Sequence, residues 1–139
     1  MSDMPAVRSV MTPRPHCVGI DDSLLLARAL MVRLGVRHLP VKEGEALVGV
    51  LTDRDLKRAL DPDLALPPKD ELFVRDVMVP AYVVDAGEPL DVVLDHMASD
   101  HIGSALVTEH GQLSGIFTAT DACRVLCQLL RSTAAVRGR

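Results

Sequence analysis

A chain of 139 residues that matches itself when slid along by 66 positions has few ways to fold. Under that offset Leu24 meets Leu90, Met31 meets Met97, Val41 meets Val107, Gly49 meets Gly115, Thr52 meets Thr118 and Asp55 meets Asp121. From Ile20 to Leu60, ten of 41 positions are identical, where ordinary composition gives roughly three. At the ends, Val10-Met11-Thr12-Pro13 matches Val77-Met78-Val79-Pro80 after one residue of slippage. A half of this size buries too little surface to stand alone, so the expected architecture is two copies of one unit that share a core.

Each copy reads as β-α-β-β-α. A short apolar stretch (Cys17 to Ile20; Tyr82 to Val84) precedes a turn rich in Asp, Gly and Ser. A helical pattern follows, with Leu26, Ala29, Leu30 and Leu34 spaced by three and four. Asp22 or Ser23 suits the first helix as a cap, and Pro89 suits the first turn of its counterpart. Two hairpins come next, Val36 to Val41 with Leu47 to Leu51, and Ile102 to Thr108 with Leu113 to Phe117. A last helix in each copy starts at Thr52 or Thr118 and runs to about Leu60 or Leu130. The expected division is therefore a first repeat over 9–60, a linker over 61–75, a second repeat over 76–130 and a frayed tail over 131–139. Within the linker, Asp61-Pro62-Asp63 and Pro67-Pro68-Lys69-Asp70 favour a loop.

Composition narrows the partners. With 15 basic against 19 acidic residues the net charge is −4, and without a basic patch such a chain is repelled by a polyanion. Phe73, Tyr82 and Phe117 are the whole aromatic complement, too few for base-stacking platforms. Nucleic acid is therefore not expected. No apolar run approaches the roughly 18 residues of a membrane span. The start MSDMPAVRSV has no apolar export segment, and three cysteines, Cys17, Cys123 and Cys127, suit a reducing compartment. A cytoplasmic protein is expected. His16, His38, His96, His101 and His110 form no recognised metal-ligand spacing, and His16 beside Cys17 would point to opposite faces of a strand, so neither a metal nor catalysis is expected. Cys123 and Cys127, at i and i+4, read as core or interface.

The sharpest local signal is Gly49-Val-Leu-Thr52-Asp-Arg-Asp55, echoed as Gly115-Ile-Phe-Thr118-Ala-Thr-Asp121. As a helix start, Thr with Asp three residues later is close to a capping box. The same pair at the mouth of a strand-to-helix turn suits a ribose: the carboxylate accepts from both vicinal hydroxyls, and the threonine hydroxyl and first-turn N–H groups can meet a phosphate. Both roles can hold together. The strand glycine before the pair would let a ligand approach the backbone closely.

With the run Gly35-Val-Arg-His-Leu-Pro-Val41 and the Val-Met-x-Pro starts, these motifs resemble the cystathionine β-synthase (CBS) domain family from about Ser9 to Leu130. The resemblance implies an α/β (α+β) tandem CBS pair, a Bateman module, with pseudo-twofold symmetry and two clefts that bind adenosine ligands such as AMP, ADP, ATP or S-adenosylmethionine. It implies Thr52 with Asp55 and Thr118 with Asp121 as ribose-binding residues, and backbone around Val36 and Arg37 and around Ile102 and Gly103 as base contacts. Each cleft is expected to combine both copies. One would hold Val36, Arg37, Thr118 and Asp121, with His38 alongside, and the other Ile102, Gly103, Thr52 and Asp55. The stretches His16 to Val18 and Tyr82 to Val84 would add wall. Arg37, His38 and Arg54 make the copies unequal in cationic phosphate partners, and the site pairing Arg37 and His38 with Thr118 and Asp121 is expected to be the stronger.

The expected function is a regulatory adenosine-ligand sensor that needs no cofactor, forms a homodimer through apolar helices such as Leu24-Leu25-Leu26 and Val92-Val93-Leu94, and acts on an unidentified effector protein in trans. The alternative is a ligand-free dimerisation scaffold whose motifs are only helix caps.

Overall fold

A computed structural model describes residues 3–63 and 72–137. In chain order the elements are a 3-10 turn Val7–Ser9, β1 Thr12–Pro13, β2 Val18–Gly19, α1 Leu24–Leu34, β3 His38–Glu43, β4 Ala46–Thr52, α2 Asp53–Ala59, α3 Val74–Val77, β5 Val83–Asp85, α4 Leu90–Asp100, β6 Ser104–Glu109, β7 Gln112–Thr118 and α5 Ala119–Arg137. They divide into two compact units. One contains residues 15–81; the other joins residues 1–14 to residues 82–139.

In the first-repeat unit, β2 runs parallel to β3, and β3 pairs antiparallel with β4. Parallel neighbours need a crossover, which α1 supplies. Ser23 caps α1 by accepting from the Leu26 N–H at 3.0 Å, worth about 1 kcal/mol. Gly35 closes the helix in the left-handed region, φ 66°, where the missing Cβ removes the steric cost. Leu24, Ala27 and Met31 turn inward to meet Leu39, Val41 and Leu51 of the hairpin and Leu56 of α2. Residues beyond the repeat finish this core. Leu72 and Val74 are buried in it, the Val74 N–H donates to the Asp22 carbonyl (2.9 Å), and Val50 and Val79 exchange two backbone hydrogen bonds of 3.0 Å.

The second-repeat unit has the same plan with one added strand. β5 is parallel to β6, β6 antiparallel to β7, and β1 pairs with the far edge of β7. Leu90, Val93 and Met97 of α4 pack with Ala105, Val107 and Phe117. The N-terminal segment belongs to this core: Val7 is fully buried, and its N–H donates to the Glu88 carbonyl at 2.9 Å. Each Met-x-Pro start is thus built against the unit of the other repeat. Repeats and compact units divide the chain differently.

Both hairpins carry one more residue than a plain pairing allows. The register shifts after Val41 and after Val107, so one residue on the opposite strand is left over, a bulge beside each strand glycine. The Asp61-Pro62-Asp63 part of the expected loop is non-helical, with a turn at 62–63, while Pro67-Pro68-Lys69-Asp70 lies outside the described residues. The tail expected from Arg131 onward is instead helix as far as Arg137. Ser132 to Val136 contains no breaker, and the first glycine is Gly138. Cys123 and Cys127 are exposed on α5, which removes the core reading of these two thiols.

Candidate functional site

The two Gly-x-x-Thr-x-x-Asp motifs sit where β4 enters α2 and where β7 enters α5. The chain must leave the sheet there, and threonine at the junction satisfies first-turn N–H groups that have no helical acceptor. The Thr52 Oγ1 accepts from the Asp55 N–H (3.1 Å) and donates to Asp55 Oδ2 (2.8 Å). The Thr118 Oγ1 accepts from the Asp121 N–H (3.3 Å) and donates to Asp121 Oδ2 (3.0 Å). Hydroxyl and carboxylate lie together in both copies.

Their surroundings differ. Asp55 is half-buried and Thr52 is its side-chain partner. Asp121 is only 6% exposed. Its carboxylate also accepts from the Thr118 N–H (2.9 Å) and from the Thr12 hydroxyl (3.2 Å), and the Arg124 guanidinium stands 3.6 Å away. Thr12 was not among the expected site residues. Its signal was faint: a polar residue in Val-Met-Thr-Pro where the second start has Val79.

The strand glycines do not leave room for a ligand as expected. A Cβ on Gly49 would lie 2.7 Å from the Val79 carbonyl oxygen, and one on Gly115 would overlap the Met11 side chain. The crossing Met-x-Pro segments fill that space, and this close approach is why glycine is needed.

The expected base-contact stretches lie beside the motifs of their own unit. The Asp53 N–H donates to the Arg37 carbonyl at 2.8 Å, and the Ala119 N–H to the Gly103 carbonyl at 3.0 Å. These carbonyls are spent on holding the helix starts. Val36 and Ile102 follow the left-handed Gly35 and His101, and each N–H bonds back to its helix, to Met31 (3.1 Å) and Met97 (2.9 Å). His38 pairs in register with Thr52. Burial pushes the His38 imidazole below the ordinary histidine value, the Arg37 charge pushes the same way, and Asp53 opposes both. Near neutral pH His38 is therefore a neutral hydrogen-bonding group, so it does not add to the cations expected from Arg37 and Arg54. Of the wall residues, Val18 is buried in the core and cannot present its side chain, and His16 is exposed. Tyr82 stacks on His96 with ring centroids 4.0 Å apart.

Among the described residues no group of three or more His, Cys, Asp or Glu is placed to hold a metal. No helix there is long and apolar enough to cross a membrane.

Two repeats of parallel strand, crossover helix, bulged hairpin and capped helix, each with a hydroxyl–carboxylate pair at its hairpin-to-helix junction, define a mixed α+β tandem-repeat module. The family's model matches residues 7–62 and again 74–128, and the chain belongs to the CBS domain family. Hypoxic response protein 1 of Mycobacterium tuberculosis is 30% identical over 129 residues, which is 88% of this chain and 86% of that protein. The crystal structure of CBSX2 in complex with AMP is 29% identical, with a TM-score of 0.76 over 88% of this chain and 97% of the other. The CBS domain pair of protein MJ0100, in complex with 5′-methylthioadenosine and S-adenosyl-L-methionine, shares the fold at 23% identity, with a TM-score of 0.78 over 90% and 98%. Larger relatives are matched only in part: the chain covers 11% of an A-adding tRNA nucleotidyltransferase of Geobacter sulfurreducens.

Proposed function

We propose that this protein is a non-catalytic, cytoplasmic regulatory module that binds an adenosine ligand, AMP foremost, and acts as a homodimer on a separate effector protein. The observation that carries the reading is the Thr52–Asp55 pair. Asp55 is oriented by one hydroxyl and retains acceptor capacity on a half-buried carboxylate, which suits the two vicinal hydroxyls of a ribose. The AMP complex of the similar CBSX2 supports an adenosine ligand. Asp55 is the principal ribose acceptor, and Val36, Arg37 and His38 stand next to it in the same unit. Thr118 and Asp121, with Ile102, Gly103 and Tyr82 nearby, form a second, weaker position, because Asp121 already accepts from Thr118 and Thr12. This reverses the weighting drawn from the cations alone.

One observation favours the scaffold reading: every hydrogen bond between Thr52 and Asp55 is accounted for by helix capping. Calorimetric titration with AMP and thermal melts separate the two. AMP at a hundred times its dissociation constant adds about 2.7 kcal/mol to stability. Asp55→Ala is expected to abolish that gain while the ligand-free melt moves by no more than about 1 kcal/mol, the cost of a modest hydrogen bond. AMP, ADP, ATP and S-adenosylmethionine all leaving the melt unmoved supports the scaffold.

A further inference from the structure

The 66-residue offset that aligns the two motifs also aligns what crosses beside them. Thr12 of β1 stands in register with Ile116, the residue after Gly115, and Val79 stands opposite Val50, the residue after Gly49. Val79 therefore holds in the first-repeat unit the place that Thr12 holds in the second-repeat unit. Each belongs to the same compact unit as the aspartate of the adjoining motif. Threonine and valine have nearly one shape, and the difference between them here is a hydroxyl.

That hydroxyl falls on the aspartate. Thr12 Oγ1 donates to Asp121 Oδ1 at 3.2 Å and lies 3.5 Å from Oδ2. Oδ2 already accepts from the Thr118 N–H (2.9 Å) and the Thr118 hydroxyl (3.0 Å), and the Arg124 guanidinium stands 3.6 Å from Oδ1. A carboxylate offers about four acceptor positions. On Asp121 two are filled at Oδ2 and one at Oδ1, whereas Asp55 gives one, at Oδ2, to the Thr52 hydroxyl. A ribose brings two vicinal hydroxyls and needs two positions: Asp55 has them, and Asp121 lacks one. Thr12 itself is exposed, so water can take over its hydroxyl when a ligand displaces it. The contact is a competitor and not a permanent seal.

We propose that the residue at this crossing position sets the affinity of each site: the Thr12 hydroxyl competes with a ribose hydroxyl for Asp121, and valine at position 79, with nothing to donate, leaves Asp55 to the ligand. The inference rests on the adenosine-ligand reading above and names the side chain that ranks the two sites. Exchanging the residue types then exchanges the ranking.

The test is calorimetric titration of the full-length chain with AMP, each variant first checked by a thermal melt. In an Asp55→Ala background, which isolates the second site, Thr12→Val is expected to tighten AMP binding about tenfold, the equivalent of one hydrogen bond, and Thr12→Ser to leave it as it is with threonine. In the otherwise wild-type chain, Val79→Thr is expected to weaken the first site by a similar factor. Because two hydroxyls compete for one acceptor position, Thr12→Val is also expected to raise the preference for AMP over its 2′-deoxy or 3′-deoxy analogue, which a change in packing alone leaves untouched. Thr12→Val with AMP binding unchanged or weaker, Val79→Thr without effect, or a gain that both deoxy analogues share in full overturns the proposal. A double-mutant cycle of Thr12→Val and Asp121→Asn on the unfolding equilibrium checks the contact without ligand. The two losses are expected to be non-additive by about fivefold, and additive losses overturn the competition. A chain that binds AMP in none of these forms sinks the adenosine reading together with the proposal; AMP binding that is lost in Asp55→Ala but indifferent to positions 12 and 79 sinks the proposal alone.

Discussion

At the scale of single residues, identical motifs have been given different neighbours. Asp55 and Asp121 each hold their own threonine, but Asp121 is also bound by Thr12, 109 positions away. The local pair was legible because three residues along a helix start are neighbours by geometry. The Thr12 contact was not, because nothing local links β1 to α5. His38 shows the same division. Its place in the motif was evident, while its neutrality follows from burial in the folded hairpin and from Arg37. A histidine held below its ordinary value of 6.5 binds fewer protons folded than unfolded. Its contribution to stability is therefore full above the unfolded value and is lost as pH falls through that value towards the folded one. Melts of the wild type from pH 8 to pH 5 are expected to show a decline below about 6.5 that is shallower in His38→Gln. Equal slopes for the two proteins would assign the decline to other groups.

At the scale of elements, the hairpins show why strand limits read from apolar runs fall short. The second strand of each hairpin gains a residue at either end, reaching Ala46–Thr52 and Gln112–Thr118, whereas the first starts two residues later than expected, at His38 and Ser104, and runs on to Glu43 and Glu109. The strand glycines serve the crossing segments, and the two crossings are not equally stiff. Beside Gly49 stands the backbone carbonyl of Val79, fixed by two hydrogen bonds to Val50; beside Gly115 stands the unbranched side chain of Met11, which can change rotamer. Gly49→Ala is expected to destabilise by about 1–3 kcal/mol and Gly115→Ala by less, read as chemical-denaturation midpoints. An equal loss for both would mean that Met11 is held as firmly as the backbone.

At the scale of the whole molecule, order along the chain and membership of a compact unit part company. Residues 1–14 come first in sequence yet complete the unit built from the second repeat. Val7 fills its core, the Arg8 N–H donates to the Ala86 carbonyl (3.1 Å), and the Leu90 N–H at the start of α4 donates to the Pro5 carbonyl (2.9 Å). Removing residues 1–13 is therefore expected to raise amide hydrogen exchange in α4, β6 and β7 while leaving α1 and β3 protected. Exchange rising first in α1 and β3 would contradict that assignment.

The sequence alone determined the duplication, the β-α-β-β-α order, the capped helix starts and the hydroxyl–carboxylate pairs. All of these are carried by periodicity and by spacings of a few residues, which local geometry converts directly into proximity. Tertiary structure decided what stands beside each pair. It put Met11 and Val79 against the strand glycines, closed Asp121 with Thr12 and left Asp55 more open. It also brought Arg28 and Arg37 together with Asp53, Lys57 and Asp61 around a groove between α1 and α2. These outcomes depend on which distant segments pack together, and packing between segments far apart in the chain leaves no periodic trace in either of them.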